Sequence, residues 1–219
     1  MLPTHVVFDL DGTLIDSAEA ILASYRTAFA VCGVVPVRDI EADIVGPPLS
    51  ETLWLLAGSR DPVLIARLAN AFKQSYDSEG LLKTLPYPGV SNMLQALRTA
   101  GRKLSIATNK RIRPTRSIIE HLRWGDIFDA TYAFDIFMPP LPNKAAMLGR
   151  LLTDQRIDVH QAVYVGDRIE DGEAAEANNL PFITASWGYG AQHVGKDMPA
   201  RWCEAATPSG LKRMLLGEG

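Results

Sequence analysis

Two cysteines, Cys32 and Cys203, are all that this chain of 219 residues carries, and neither has a neighbouring Cys or paired His. That scarcity argues against a disulfide framework and against a zinc site, and it fits thiols kept reduced in a cytoplasmic protein. Excess positive charge is lacking too. The formal net charge is −3, so no general field draws the surface to nucleic acid or anionic lipid, although a local cationic pocket remains compatible with it. Arg111, Arg113 and Arg116 are locally basic, but no reading helix or aromatic-basic array accompanies them. The opening MLPTHVVFDLDGT has no basic leader, and its apolar run meets acidic residues too early for a signal peptide or a membrane span. No internal repeat and no low-complexity tract interrupts the chain. The expected partner is therefore a small molecule, not nucleic acid or membrane, for a monomer or homodimer.

What is present is an ordinary globular composition, 47% hydrophobic and 21% charged, enough for one large domain or a core plus a smaller module. The first strand is expected at Thr4–Phe8, short and β-branched. From Asp16 the period changes to that of a helix, with Asp16 as a candidate cap, Glu19 three residues on, and Ile21, Leu22, Tyr25, Phe29 and Cys32 on one face. Further helices are expected over Pro36–Asp43, Ser50–Ala57 and Pro62–Ser78, giving an all-helical insert over 15–82. After Pro86 and Pro88 strands alternate with helices: strands at Lys103–Ala107, Ala130–Phe134, Ala162–Val165 and Phe182–Ala185, helices at Gly89–Thr99, Arg113–Leu122, Lys144–Leu152, Asp171–Asn178 and Ser209–Leu216. Such alternation implies an α/β fold, a doubly wound, mostly parallel Rossmann-like sheet. The expected division is a catalytic core of 1–14 and 83–219 and a helical cap domain of 15–82.

Polar clusters stand at the carboxyl ends of these strands, where open α/β sheets place ligands. Asp9 and Asp11, two apart, can share a face; two such carboxylates repel unless a cation or proton compensates, and beside phosphate a hard oxygen-ligated ion such as Mg²⁺ is the usual partner. Asp167, Glu170 and Asp171 follow the apolar run AVYVG. Thr108 and Asn109 end another strand, either as anion ligands or as a cap for the next segment. Lys144 is either a solvated helix residue or an ammonium that offsets phosphoryl charge. Gly46, Pro47, Pro48 and Leu49 form a rigid loop in the insert, either an ordinary connection or one that faces the site. The four tryptophans are expected in the core or at interfaces.

With these residues in place the sequence resembles the haloacid-dehalogenase superfamily of phosphohydrolases, in its phosphoglycolate-phosphatase-like branch with a helical cap. FDLDGTLIDS at Phe8–Ser17 corresponds to the first motif, TNK at Thr108–Lys110 to the second, Lys144 to the third and GDRIED at Gly166–Asp171 to the fourth; SWGYG at Ser186–Gly190 is also similar to this branch. The resemblance implies that Asp9 is the nucleophile and becomes an aspartyl-phosphate, and that Asp11 protonates the leaving group and then activates water. It implies that Asp9, the Asp11 carbonyl and Asp167 bind Mg²⁺ with support from Asp171. It further implies that Thr108 and Asn109 hold the phosphoryl group while Lys144 neutralises it. Lys110 and Pro48 become candidate substrate contacts. Arg168 and Ala145 depart from the family pattern, and Arg168 is either a surface residue or one that reaches the phosphate or an acidic leaving group. The implied activity is Mg²⁺-dependent hydrolysis of a small phosphomonoester, 2-phosphoglycolate being the nearest candidate. A sugar phosphate mutase, a pyrophosphatase or nucleotidase, and a non-catalytic phosphoacceptor stand as alternatives.

Overall fold

The computed structural model describes residues 2–191 and 198–218. Six strands form one sheet in the order β5-β4-β1-β6-β7-β8, every neighbouring pair parallel: β1 (His5–Phe8), β4 (Lys103–Thr108), β5 (Ala130–Ala133), β6 (Ala162–Gly166), β7 (Phe182–Ala185) and β8 (Cys203–Ala205). The mostly parallel, Rossmann-like core expected from the alternating pattern is present. Because side chains alternate across a strand, Val6 and Phe8 of β1 face one apolar cluster and Val7 the other. The first cluster takes α4 (Val90–Thr99), α5 (Ile112–His121) and α8 (Pro208–Leu216); the second takes α6 (Lys144–Asp154) and α7 (Ile169–Ala177). Burial on both faces explains why the strands read as near-continuous apolar runs.

The helical insert lies between β1 and β4. It contains α1 (Ala18–Cys32), α2 (Leu49–Ala57) and α3 (Pro62–Ser75), and the chain enters and leaves it through a two-stranded antiparallel ribbon, β2 (Ile15–Asp16) with β3 (Leu85–Pro86). Its helices are bounded by local chemistry: Asp61 accepts from the backbone N–H of Val63 at 3.1 Å, with Pro62 next in line. Ile21, Tyr25 and Phe29 are buried on α1, with Leu22 and Cys32 half-buried beside them. This face packs on α3, and the first apolar cluster continues from the sheet through Leu10 and Leu14 into the insert.

Three expectations change. Asp16 does not cap α1; it pairs with Leu85 in the ribbon, and the helix starts after Ser17. Pro36–Asp43 forms no helix, only a short 3₁₀ turn at Ala42–Ile44. Its backbone is anchored from outside instead, Val37 N–H donating to Leu56 and Ile40 C=O accepting from Arg26. Helix α3 gives way at Tyr76–Gly80 to a π turn. The edge strand β8 was not expected, since three residues reading CEA carry no apolar run.

Gly172 lets α7 approach the buried Trp202: a Cβ there would lie 2.1 Å from the indole ring. Trp202 is fixed from the other side by an edge contact with Phe182, ring centroids 4.9 Å apart, so neither partner can yield without disturbing the sheet. Gly172→Ala is expected to lower stability by about 1–3 kcal/mol through overpacking, read as a lower urea midpoint at unchanged slope; an unaltered midpoint would show that the contact relaxes freely.

Candidate active site

Strand β1 has β4 on one side and β6 on the other, with Phe8 in register with both Ile106 and Val165. The residues just past these three strands therefore meet at one place. Asp9, Asp167 and Asp171 are buried there, one carboxylate oxygen from each lying within 4.8 Å of the others. Lys144, at the first turn of α6, puts Nζ 3.0 Å from Asp9 Oδ1 and also pairs with Asp171. Asn143 starts that helix by accepting from Ala146 N–H at 2.9 Å, which sets the direction of Lys144.

Among the described residues, one ammonium faces the three buried carboxylates, which leaves negative charge uncompensated. Burial pushes the Asp9 carboxyl up to about 6, Lys144 opposing it and Asp171 and Asp11 adding to it. Burial, then Asp171 and Asp9, also hold Asp167 well above the usual carboxylate range. Burial pulls Lys144 down, but Asp171 and Asp9 outweigh it and keep the ammonium well above its ordinary value. Among the described residues Lys144, ion-paired with Asp9 Oδ1 at 3.0 Å, is the cation that faces this oxygen. Three buried carboxylates that offer hard oxygen donors to one point fit a divalent cation such as Mg²⁺, for which Asp9, Asp167 and Asp171 are the available side chains among the described residues.

The remaining hydrogen bonds fix this cluster. Thr13 Oγ1 donates to Asp167 Oδ1 at 3.2 Å and Gly190 N–H to Oδ2 at 2.8 Å. Arg168 N–H donates to Asp171 Oδ2 at 3.1 Å, and Tyr164 O–H reaches Ala107 C=O at 3.0 Å and Asp171 Oδ1 at 3.3 Å. Trp187 Nε1–H donates to Thr13 C=O at 2.9 Å, tying the 186–190 loop to the loop after β1. Close approach makes two glycines necessary: a Cβ on Gly12, whose φ is +82°, would lie 2.2 Å from Asp167 Oδ2, and one on Gly188 would lie 2.2 Å from Gly12 O.

Other sequence candidates are placed nearby but apart from the three carboxylates. Asp11 turns its carboxylate to Lys110, whose Nζ lies 2.9 and 3.1 Å from its two oxygens, and it accepts from Ser17 Oγ. Thr108 Oγ1 accepts from Lys110 N–H at 3.2 Å. Asn109 Nδ2–H donates to Gly46 C=O at 3.1 Å, while its Oδ1 is buried without a partner. Arg168 directs its guanidinium away from the carboxylates to the carbonyls of Val45 and Asp43. Gly46 makes room for it, since a Cβ there would lie 2.6 Å from Arg168 Cδ. Pro48 lines a cavity of about 400 Å³ with Lys144, Asp171 and Arg168. Trp54 lies apart from it, under the Arg60 guanidinium. Sequence reasoning missed Ser17, Tyr76 and the ion pair between Arg111 and Asp77. Tyr76 and the Arg111–Asp77 pair meet residues remote in the chain, and no local pattern marks them; Ser17 bonds Asp11 six residues away, at the end of the Phe8–Ser17 motif.

The raised Asp9 value has a consequence for stability. The folded protein binds this proton more tightly than the unfolded chain, whose carboxyl titrates near 3.9, so metal-free stability falls as pH rises from about 4 to about 6 and the penalty persists above. Metal-free Asp9→Asn is expected to be more stable than wild type at pH 7, on the order of 1–3 kcal/mol, with the difference shrinking toward pH 4. Added Mg²⁺ should raise the wild-type melting temperature more than that of the variant. Calorimetry with and without chelator checks both, and a variant less stable at pH 7 would contradict the crowding of charge.

Comparison with known proteins agrees with this geometry. The family model "Haloacid dehalogenase-like hydrolase" matches residues 6–185. The tyrosine-protein kinase PtkA of Mycobacterium tuberculosis is 32% identical over 222 residues, covering 97% of this chain and 72% of the relative; its structure aligns over 98% of both chains with a TM-score of 0.80. A phosphoglycolate phosphatase of Xylella fastidiosa is 32% identical over 210 residues, 91% of this chain and 86% of the relative. A crystal structure described as a predicted phosphatase from Clostridium acetobutylicum is 26% identical, covers 99% and 100% of the two chains and has a TM-score of 0.87. Fold, carboxylate cluster and relatives thus agree: the chain belongs to the haloacid dehalogenase-like hydrolases, in the phosphoglycolate phosphatase-like branch, and is an enzyme of that phosphatase type.

Proposed function

We propose that the protein is a cytoplasmic, Mg²⁺-dependent phosphatase that hydrolyses a small phosphomonoester through an aspartyl-phosphate on Asp9, with 2-phosphoglycolate the first substrate to test. The observation that carries this reading is the buried cluster of Asp9, Asp167 and Asp171, with Lys144 ion-paired to Asp9. Asp9 attacks phosphorus as the ester P–O bond breaks, and Asp11 gives its proton to the departing oxygen. Water then attacks the same phosphorus, Asp11 takes a proton from it, and inorganic phosphate leaves with Asp9 restored. Lys144 offsets charge on the phosphoryl oxygens, and Thr108 and Asn109 hold them. A bound Mg²⁺, held by Asp9, Asp167, the Asp11 carbonyl and, in support, Asp171, supplies charge neutralisation and polarisation of the phosphoryl group.

The segment 15–82 serves in this reading as a cap that closes over the site and excludes water. Its closed position is supported by four links to the core: Asn109 to Gly46, Arg168 to Val45 and Asp43, and Arg111 to Asp77. Pro48 faces the open cleft at the edge of this contact. The similarity to PtkA supports a second reading, in which phosphoryl groups pass to a tyrosine.

A panel of phosphate esters, assayed for free phosphate, is expected to show turnover with Mg²⁺ that falls by at least about a hundredfold with chelator, and by more in Asp9→Asn. Equal activity without any divalent ion would sink the mechanism. Phosphate appearing on a tyrosine peptide from ATP, without net hydrolysis, would favour the second reading, and isomerised sugar phosphate would favour a mutase. Arg168→Ala is expected to lower kcat/KM roughly tenfold by releasing the cap loop, with Arg168→Lys restoring only part because a lysine cannot reproduce the forked contact; steady-state kinetics unchanged in both variants would remove Arg168 from cap closure.

A further inference from the structure

Between the cap and the core, on the Asp11 side, lies a half-open pocket whose narrow interior measures about 60 Å³. Its charged groups are matched with one another. Lys110 donates to both Asp11 oxygens, and Arg111 makes a two-pronged contact with Asp77, Nη1 to Oδ2 at 3.0 Å. Tyr76 is different. It is 2% exposed, lines the pocket, and its hydroxyl finds no acceptor among the described residues. The Lys110 ammonium lies 4.5 Å from its ring centroid and can act only as a donor toward the phenol, so the phenol's own proton is left without an acceptor.

A buried phenol normally finds an acceptor, and leaving one without costs free energy. Here the surroundings hold the ring in place despite that cost. Phe72 stacks on it at 5.6 Å with an interplanar angle of 15°, and the next residue, Asp77, is pinned to the core by Arg111. Tyr76 also opens the π turn that ends α3, a local departure from helix geometry of a kind often found at functional sites. The hydroxyl is thus a buried, fixed donor with an open valence, on a residue that lines the pocket next to the carboxylate proposed to protonate the departing oxygen.

We infer that Tyr76 is a specificity-determining residue whose hydroxyl donates to an acceptor oxygen on the leaving group, so that the enzyme selects esters of small alcohols carrying such an oxygen. This rests on the reading above that esters are hydrolysed at Asp9. A carboxylate and a hydroxyl both satisfy the donor. A site built to pair a polar group discriminates strongly against an analogue that lacks it, because its own donor is then left unpaired.

The test compares 2-phosphoglycolate, 2-hydroxyethyl phosphate and ethyl phosphate, which share a two-carbon leaving group and differ in the terminal acceptor. Wild type is expected to favour at least one acceptor-bearing ester over ethyl phosphate by at least about tenfold in kcat/KM, and Tyr76→Phe to reduce that preference roughly ten- to a hundredfold. Which ester suffers identifies carboxylate or hydroxyl as the natural acceptor. Independently of any variant, the matching alcohol product, glycolate or ethylene glycol, should inhibit wild type where ethanol does not. Equal use of the three esters by wild type, or an equal loss on all three in Tyr76→Phe, would overturn the inference while leaving ester hydrolysis standing. Folded wild type that hydrolyses none of the panel with Mg²⁺ would overturn both.

Discussion

Three buried carboxylates gathered around a single ammonium are the constraint on which the rest of the site depends. Nothing in their own energetics favours the arrangement, since burial disfavours each charge and proximity disfavours them together. The fold imposes it. Asp9 follows the central strand and Asp167 follows its neighbour, so parallel register alone brings both to the same edge, and α7 turns Asp171 back onto them. Lys144 arrives from α6 with its stem in the second apolar layer's helix and its charge at the junction. The arrangement keeps part of its potential unsatisfied, which is what a site for a cation and a phosphoryl group requires.

Holding such a cluster takes backbone more than side chains. The loop after β1 approaches Asp167 so closely that Gly12 has no room for a side chain, and the 186–190 loop closes behind it through Gly188, Gly190 and the Trp187 indole. Asp167 therefore receives its hydrogen bonds from a hydroxyl and a main-chain amide whose positions are set by packing. On the other side, the cap meets the core through carbonyls of Asp43, Val45 and Gly46, which accept from Arg168 and Asn109. Arg168 stands immediately after Asp167 in the chain. The residue beside the carboxylate cluster is thus also the one that hydrogen-bonds the helical insert, so a change in the insert's position is felt next to the proposed metal ligand without any intermediary.

Much of this was legible in the sequence, for a physical reason. A buried parallel strand is an apolar run, and the carboxylate that ends it is conspicuous; Asp9 and Asp167 stand at such transitions, Asp171 follows four residues after Asp167 and Lys144 opens a helix, and the structure brings the four together. Helices α2, α4 and α6 begin within a residue of their expected starts because Gly, Pro and Asn mark them locally. What sequence could not carry is partnership across the chain. Asp16 looked like a cap because its competing partner, Leu85, lies almost seventy residues away. Pro36–Asp43 looked helical because nothing local reveals that its hydrogen bonds go to α1 and α2. Tyr76 and the Arg111–Asp77 pair were invisible on the same ground, and Arg168, left between surface and phosphate, turned out to face main-chain carbonyls.

The two-residue ribbon has an implication for how such a protein diversifies. Ile15 pairs with Pro86 and Asp16 with Leu85, so the insert leaves and rejoins the sheet domain at adjacent points. Whatever is spliced between those points inherits the same stapled base, and the strand bearing Asp9 need not shift when the inserted helices lengthen, shrink or are exchanged. Recombination at that seam would let lineages trade one specificity module for another while the phosphorus chemistry passes down intact.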